Sequence, residues 1–429
     1  MATTYLTRSA DTAGSTTKGT FSAWVKKSQN TVEYPRLYTS YISSTNFFEI
    51  FFKDDDRLSV YVYFNSTTRA DVVTTREFKD NSGWYHICIA CDSDQGTPAD
   101  RIKFYINGVL ETDFDNTTYP GSGDNMKFNG AANTDIIGRN QVGTNNYFKG
   151  CMSYIAWIDG TQELPTIFGE TDATSGEWKI KTTITPSSAW GANGFFILKD
   201  GSSLTDQSGE GNNFTLGGGT LTNTEDCPTD VFATLNPLNV PTSNAPTFSN
   251  GNTKGATNTT SGSYEWGGST TLGMTKGKFY CEAKATVGVT YSRSAVGVTG
   301  NAAELARAND GPYSDTGNSS AYYSETGQVN YNNSSQYTAA TYTTGDIIQV
   351  AIDLDNNRLF YGKNGTWLNS GDPTSSTGAI TIGASSTCPD GAYFFAMGDS
   401  TGTTAVCEFE FNFGNGYFGT TIISSEGTN

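Results

Sequence analysis

Hydrophobic and polar residues alternate along much of the chain, most clearly in two neighbouring runs. Phe48–Phe52 alternates up to an acidic turn, Asp54–Asp56, and Leu58–Phe64 alternates away from it. Successive side chains of a β-strand point to opposite faces of a sheet, so this pattern predicts a hairpin with one buried face. Tyr61 and Tyr63 are then expected on the opposite, outer face of that hairpin.

The same period of two recurs through the rest of the chain. Ile102–Ile106 leads into Asn107 and Gly108, a pair typical of tight hairpin turns. Further alternating runs are Phe279–Val287, Ile348–Leu354 and Cys407–Phe413. Helical periodicity is nearly absent. The pattern predicts an all-β fold of two antiparallel β-sandwich (jelly-roll) domains in series, with alternate residues packed between two sheets.

A change in composition separates the two blocks of predicted strands. Gly, Pro, Ser, Thr and Asn dominate this part of the chain, with prolines at positions 228, 237, 241 and 246. Such residues favour turns and extended connections. We therefore predict a first domain over residues 1–222, a connecting region over 223–265 that packs on the second domain, and the second domain over 266–429.

Charge narrows the classes of partner that the protein can have. The 429 residues include 26 Lys and Arg against 43 Asp and Glu, a net charge of −17. No basic stripe is available to neutralise a phosphate backbone, so we expect no nucleic-acid partner. No run approaches the roughly 18 apolar residues of a membrane span. Met1–Thr20 lacks the apolar core of a signal peptide, and we expect a soluble protein made in a cytoplasm, without membrane insertion.

A series of short motifs runs through most of residues 1–215 in a fixed order. They are Tyr5–Arg8, Thr20–Lys26, Gly83–His86, Arg101–Gly108, Phe148–Gly150, Ile158–Gly160, Phe168–Glu170, Gly176–Trp178 and Asp206–Asn213. Each motif is weak alone, but the ordered set resembles the concanavalin A-like, laminin-G-type jelly rolls found in marine tailed phages. The resemblance implies a lectin-type fold for the first domain.

The second block of strands resembles a different family. Gly345–Asp355, Leu359–Trp367 and Asn412–Gly414 are similar to the signature of SPRY domains, which are bent β-sandwiches. This family implies a binding module without catalytic residues. Similarity to the pairing of the two domains, joined through Phe232–Pro237, implies a structural or appendage protein of a phage particle.

Motifs that would support catalysis are incomplete. Glycan-cleaving enzymes of the concanavalin-like class carry two glutamates around an aspartate, because retaining hydrolysis needs two carboxyls about 5 Å apart. The nearest match, Glu170–Ser175, lacks the second glutamate. The only histidine, His86, has no plausible set of catalytic partners, and no nucleophile-elbow, zincin or P-loop pattern occurs. We interpret the chain as non-enzymatic and predict no catalytic residue.

Metal binding has three candidate locations, and one of them, Asp353–Asn357, imitates the opening of an EF-hand loop but lacks its Gly and distant Glu. Cys88 and Cys91 form a C-x-x-C motif, but they lie in a strand-like run where positions three apart point to opposite faces, which favours buried free thiols. Asp54, Asp55 and Asp56 are candidate ligands for Ca²⁺, which takes six to eight oxygen ligands. A charged hairpin tip is the favoured interpretation of these aspartates, and no other cofactor is expected.

Two tyrosine-rich regions have the composition of sugar-binding loops. They cover residues 116–124 with 140–147, and residues 309–342. Loops rich in Tyr, Ser and Asn make adaptable contacts, and sugars are recognised by aromatic faces together with amides and carboxylates. The candidate ligand-binding residues in these rim loops are Tyr119, Tyr147, Tyr313, Tyr322, Tyr331 and Tyr337. Alternatively, these tyrosines cap sheet edges or pack against neighbouring subunits.

The leading hypothesis is a non-enzymatic bacteriophage virion protein, a tail fibre or other appendage, that attaches to a host surface glycan or protein. Its other partners would be virion proteins, and it would form a homo-oligomer in the particle. One alternative is a capsid decoration or tail-assembly component with no receptor role. A glycan depolymerase is the least favoured alternative, because the pair of carboxylates is missing.

Overall fold

A computed structural model describes residues 3–10, 12–30, 33–141, 146–240, 245–257, 265–287, 294–305, 317–399, 406–418 and 421–422. The chain divides into two compact units, unit 1 (Met1–Val231) and unit 2 (Phe232–Asn429). In both units the strands pair antiparallel, and this confirms the predicted all-β class. No helix in the described ranges is long and apolar enough to cross a membrane.

Unit 1 is a sandwich of two antiparallel sheets with an additional hairpin. Its strands are β1 (Tyr5–Ser9), β2 (Lys18–Lys27), β3 (Arg36–Ser43), β4 (Asn46–Phe52), β5 (Arg57–Phe64), β6 (Thr67–Glu77), β7 (Tyr85–Asp92), β8 (Ile102–Ile106), β9 (Val109–Leu110), β10 (Phe114–Thr118), β11 (Thr134–Ile137), β12 (Gly150–Asp159), β13 (Gly169–Thr171), β14 (Trp178–Ile180), β15 (Phe195–Ile197) and β16 (Thr215–Gly218). The larger sheet has the order β10-β6-β5-β4-β3-β11-β1-β16, the smaller one β15-β12-β2-β7-β8-β9, and β13 pairs with β14. Short 3₁₀ helices lie at Pro98–Asp100 and Pro165–Ile167.

The predicted hairpin around the acidic turn is formed by β4 and β5. These strands pair from Asn46 opposite Phe64 to Phe52 opposite Leu58. Phe48 and Val62, directly opposite each other, are fully buried in the core between the sheets. Each such side chain contributes about 1.5–3 kcal/mol through removal of apolar surface from water. The alternation of residues with a period of two therefore predicted correctly which side chains of this hairpin are buried.

Unit 2 is built on the same plan. Its elements are β17 (Thr247–Ser249), β18 (Lys254–Ala256), β19 (Glu265–Ser269), β20 (Lys278–Val287), β21 (Ala295–Thr299), α1 (Ala302–Leu305), β22 (Ser320–Tyr323), β23 (Gln328–Tyr331), β24 (Ser334–Thr338), β25 (Ile347–Asp353), β26 (Arg358–Lys363), β27 (Thr366–Trp367), β28 (Ile380–Thr381), a 3₁₀ helix (Ser385–Thr387), β29 (Phe394–Asp399), β30 (Glu408–Asn412), β31 (Tyr417–Phe418) and β32 (Thr421–Ile422). The larger sheet has the order β17-β18-β30-β20-β25-β26-β27, with β28 beside β26. The smaller sheet has the order β19-β29-β21-β22-β23-β24, and β31 pairs with β32.

The segment expected to connect the two domains is divided between the units. Its first residues belong to unit 1, where the buried carboxylate of Asp226 accepts hydrogen bonds from Lys26 Nζ at 2.7 Å and Trp84 Nε1 at 3.0 Å. Further along, β17 and β18 extend the larger sheet of unit 2, because β18 pairs with β30. The Gly- and Pro-rich composition thus includes two short strands at a sheet edge, where such residues are tolerated.

Candidate functional site

Three strands of the larger sheet of unit 1 carry aromatic rings on its outer face. Tyr41 of β3 lies opposite Phe47 of β4, and Phe47 lies opposite Tyr63 of β5. The Phe47 ring is 5.4 Å from the ring of Tyr63 and 6.0 Å from that of Tyr61, and the two tyrosine rings stack 6.0 Å apart. All four side chains are half-buried. We call Tyr41, Phe47, Tyr61 and Tyr63 the aromatic strip.

Polar groups border the aromatic strip on the side of β6. Asp71 lies opposite Tyr61 and accepts a hydrogen bond from Asn116 Nδ2 at 2.8 Å. The Tyr61 hydroxyl is 2.8 Å from Thr68 Oγ1. An aromatic face offers apolar area with little entropy to lose, and amide and carboxylate groups can bind hydroxyls. This arrangement has the chemistry needed to hold a sugar ring.

The sequence indicated only part of the aromatic strip. Alternation predicted that Tyr61 and Tyr63 face outward, and the structure confirms this. The contribution of Phe47 and Tyr41 depends on the pairing of β3 with β4 and of β4 with β5. That register follows from tertiary structure, so the strip was missed as a candidate site.

The two tyrosines predicted as ligand-binding residues in unit 1 lie elsewhere. Tyr119 follows β10 and packs against the core of unit 1. Tyr147 is 6.3 Å from Tyr5, ring to ring, and its hydroxyl accepts a hydrogen bond from Arg139 at 3.3 Å. Among the described residues, neither Tyr119 nor Tyr147 makes a ring contact with the aromatic strip. Their role in ligand binding stays a prediction.

The prediction of a tyrosine-rich loop in unit 2 is wrong for residues 320–338, because this segment forms β22, β23 and β24. Tyr322 is fully buried and its hydroxyl donates to the carbonyl of Ala340, so it offers no contact surface. Tyr331 donates to Asn318 Oδ1 at 2.8 Å, and Tyr337 packs against the core. A buried tyrosine is stable when its hydroxyl finds a partner. Tyr313 lies outside the described residues.

The acidic turn between β4 and β5 already has cationic partners. Asp56 is buried and pairs with Lys27, and Asp55 pairs with Arg57 at 2.6 Å. Asp54 is exposed. In the part of the chain that the structure describes, no three His, Cys, Asp or Glu side chains are grouped to hold a metal. Calcium at this turn would have to displace two ion pairs.

Ser22 and His86 form a close pair that resembles a nucleophile and its base. Trp178 Nε1, which can only donate, donates to His86 Nδ1 at 3.0 Å. Since burial lowers the pKa of His86 to about 3, the ring is neutral at pH 7 and its proton sits on Nε2, 2.9 Å from Ser22 Oγ. This nitrogen therefore donates to the serine and cannot accept its proton. With the proton on Nε2, the Ser22–His86 pair has a structural role.

The two cysteines of the C-x-x-C motif lie on opposite faces of β7, as predicted. Cys91 packs in the core between the sheets, and Cys88 packs on the other side with Phe168 and Phe196. Both thiols are free and fully buried. Burial raises the pKa of both thiols, so neither is a ready metal ligand or nucleophile.

A second, smaller group of rings lies on the larger sheet of unit 2. Tyr280 is 6.2 Å from Trp367, and Trp367 is 6.5 Å from Phe360. The Tyr280 hydroxyl donates to Glu282 at 2.7 Å and accepts from Gln349 Nε2 at 3.3 Å. Here the Tyr280 hydroxyl already has a donor and an acceptor, and the group has three rings where the aromatic strip of unit 1 has four.

Comparison with family models identifies both domains. Residues 2–167 match the model of the concanavalin A-like lectin/glucanases superfamily (Laminin_G_3). Residues 278–374 match the SPRY domain. The chain combines a lectin-type domain with a SPRY domain. The aromatic strip lies within the first matched segment, and Tyr280 and Trp367 lie within the second.

Several solved structures are similar to parts of the chain. The SPRY domain of human HERC1 is 15% identical, with 39% of this chain and 92% of that one covered and a TM-score of 0.28. A heptameric SAP-like pentraxin from Limulus polyphemus is 16% identical, with 38% and 72% covered and a TM-score of 0.28. Domain 4 of the arabinanase AbnA from Geobacillus stearothermophilus is 19% identical, with 35% and 64% covered and a TM-score of 0.27. A search of curated proteins finds no match.

Proposed function

We propose that the protein is a non-enzymatic attachment protein of a bacteriophage particle, a tail fibre or other appendage, that binds a glycan on the host surface. The aromatic strip carries this proposal. It places rings 5.4–6.0 Å apart on the outer face of a lectin-type sheet, next to the hydrogen-bonded Asp71 and Asn116. The assignment to a phage particle is supported by the motif resemblance of residues 1–215 and by the pairing with a SPRY domain.

Binding at the strip requires no bond to be made or broken. A pyranose ring would stack its C–H face on Tyr61 and Tyr63, and its hydroxyls would exchange hydrogen bonds with Asp71 and Asn116. The fixed tautomer of His86 supports a purely binding role, because the Ser22–His86 pair lacks a free base. Several copies in a homo-oligomer would raise the avidity of weak individual contacts.

A glycan array and a host-cell binding assay with the full-length protein test the proposal. Removing both tyrosine rings with Tyr61→Ala and Tyr63→Ala is expected to weaken glycan binding at least about tenfold, equivalent to about 1.4 kcal/mol. Tyr280→Ala in unit 2 is the matched control, and it should bind as the wild type does.

Four results would count against the proposal. Absence of binding to any glycan or host cell would overturn it, as would full binding by the double variant. Release of reducing ends from a bound polysaccharide would overturn the non-enzymatic part. Location on the capsid without host-cell binding would favour the decoration role instead.

A further inference from the structure

Two cations meet at one end of the unit 1 sandwich, against the ring of Phe64. Lys127 Nζ lies 3.3 Å from the centre of that ring, and the Arg69 guanidinium carbon lies 5.5 Å from it. Lys127 is only 9% exposed, and its backbone has a left-handed φ of 63°. Arg69 has no partner in the β5–β6 register, because the register shifts between Val62 and Tyr63.

Neither cation has a counter-ion among the residues that the structure describes. In the described chain, Arg69 and Lys127 form no salt bridge, and their side chains donate no hydrogen bond; Arg69 Nε is buried without an acceptor. Arg69 is half-buried, and Lys127 differs from the other buried cations described in unit 1, which each hold a carboxylate in the pairs Arg8–Asp135, Lys26–Asp226 and Lys27–Asp56. Burial and the neighbouring Arg69 both lower the pKa of Lys127.

Leaving two adjacent cations unpaired is unfavourable in this protein. The chain has 43 acidic residues against 26 basic ones, so carboxylates are abundant, and like charges placed together repel. The face of Phe64 stabilises the ammonium group, but it gives Arg69 Nε no acceptor. A buried N–H without an acceptor carries a desolvation cost that a ligand oxygen would remove.

We propose that Arg69 and Lys127 bind an oxyanion, the carboxylate or sulfate group of an acidic glycan. The planar fork of arginine matches the paired oxygens of such groups, and lysine adds a point charge. Phe64 directly follows Tyr63 in β5, and successive side chains of a strand point to opposite faces, so the anion site lies on the other face of the sheet and is separate from the aromatic strip. The identity of the ligand as a glycan rests on the proposed function, whereas the anion site itself does not.

The test uses the full-length protein with four probes. Sodium sulfate is compared with sodium chloride at equal ionic strength, and an oligogalacturonate is compared with its carboxyl-reduced, neutral counterpart. The Nε–Hε NMR signal of Arg69, assigned by its loss in Arg69→Gln, is expected to shift with sulfate and with the oligogalacturonate. Affinity for the acidic oligosaccharide is expected to exceed that for the neutral one about tenfold.

Matched variants separate this site from general charge effects. Arg69→Gln with Lys127→Gln is expected to abolish the preference for the acidic oligosaccharide. Lys103→Gln with Lys179→Gln also removes two cations, which pair with Asp100 and Asp172 at 3.1 Å each, and it should keep the preference. Unfolding midpoints verify that each variant is folded.

The outcomes distinguish this inference from the proposed function. No response of Arg69 to sulfate, together with equal binding of acidic and neutral oligosaccharides, would overturn the anion site and leave glycan attachment standing. A response to sulfate without binding of any glycan would support the anion site and count against the proposed function. An unchanged preference in the Arg69 and Lys127 double variant would also overturn the inference.

Discussion

The two sandwiches satisfy their buried polar groups by different chemistry. In unit 1 the interior holds ion pairs, and the side chains of Arg8–Asp135, Lys26–Asp226 and Lys27–Asp56 are all at most 7% exposed. In unit 2 the described ion pairs lie nearer the surface. The lysines of the pairs Lys254–Glu408 and Lys363–Asp346 are 25% and 22% exposed.

Tyrosine hydroxyls take the place of ion pairs inside unit 2. The buried Tyr342 hydroxyl lies 2.8 Å from the carbonyl oxygen of Ser294 and 3.1 Å from that of Tyr322. Tyr393 donates to the carbonyl of Gly383 at 2.8 Å. These groups are neutral and bond mainly to the backbone, so their contribution is insensitive to pH over the range where carboxylates and histidine titrate.

Two domains of one fold class therefore satisfy their buried polar groups in two ways, by ion pairs and by tyrosine hydroxyls, and the two ways differ in their sensitivity to substitution. Removing one member of a buried ion pair leaves a charge without compensation, which costs far more than losing a neutral hydrogen bond. Unit 1 should accordingly lose more stability than unit 2 when a single buried hydrogen-bonding partner is removed.

The largest effect is expected for Asp56→Asn in unit 1. Lys27 is buried and donates to Asp56 and to the carbonyl of Phe78, and the variant would leave its ammonium group without a counter-charge. Asparagine tolerates the left-handed φ of 68° at this position. We expect a loss of about 3–5 kcal/mol in the free energy of unfolding, measured by denaturant titration with hydrogen exchange to separate the units.

The neighbouring Asp55→Asn is the matched control for this substitution. Its partner Arg57 is 21% exposed, and Asp55 itself is 40% exposed, so the loss should stay within about 1 kcal/mol. Equal losses of unfolding free energy for the two variants would show that burial of the ion pair does not determine the size of the loss.

Acid should destabilise unit 1 through His86. Burial lowers its pKa from 6.5 in the unfolded chain to about 3 in the folded protein, so the unfolded state binds the proton first as pH falls. The stabilising contribution is complete above pH 6.5 and decreases towards pH 3. It amounts to roughly 3 kcal/mol lost by about pH 4. Unit 2 contains no histidine, since His86 is the only one in the chain.

Unit-resolved hydrogen exchange between pH 7 and pH 4 measures this difference, and NMR of the His86 ring reports its protonation directly. The ring should remain neutral, with the proton on Nε2, through this range. A midpoint of titration near pH 6 in the folded protein would contradict the prediction, as would equal loss of protection in both units.

Local patterns in the sequence predicted some of these features and not others. The β4–β5 hairpin, its acidic turn and the opposite faces of Cys88 and Cys91 follow from a period of two, which is visible within a few residues. Arg8 and Asp135 are separated by 127 positions. Their pairing depends on the register of β1 against β11, which no local pattern encodes.

The error over residues 320–338 has a physical cause. Tyr, Ser and Asn are common in binding loops, and the prediction relied on that composition. Tyrosine is also a good strand residue, and in β22 the buried Tyr322 finds a backbone carbonyl for its hydroxyl. Composition alone does not separate these two uses, because the deciding hydrogen bond joins Tyr322 to Ala340, and this contact forms only when the chain has folded.

The smallest effect is expected for Tyr342→Phe in unit 2. The substitution removes a buried hydroxyl that bonds to backbone carbonyls and leaves the ring in place, so it should cost about 1–2 kcal/mol at any pH between 7 and 4. Tyr337→Phe is the matched control, because in the described chain the Tyr337 hydroxyl makes no hydrogen bond, and its loss should be below about 0.5 kcal/mol. Denaturant titrations at both pH values measure these losses. A cost for Tyr342→Phe that matches Asp56→Asn, or that varies with pH, would show that neutral hydroxyls do not explain the difference between the units.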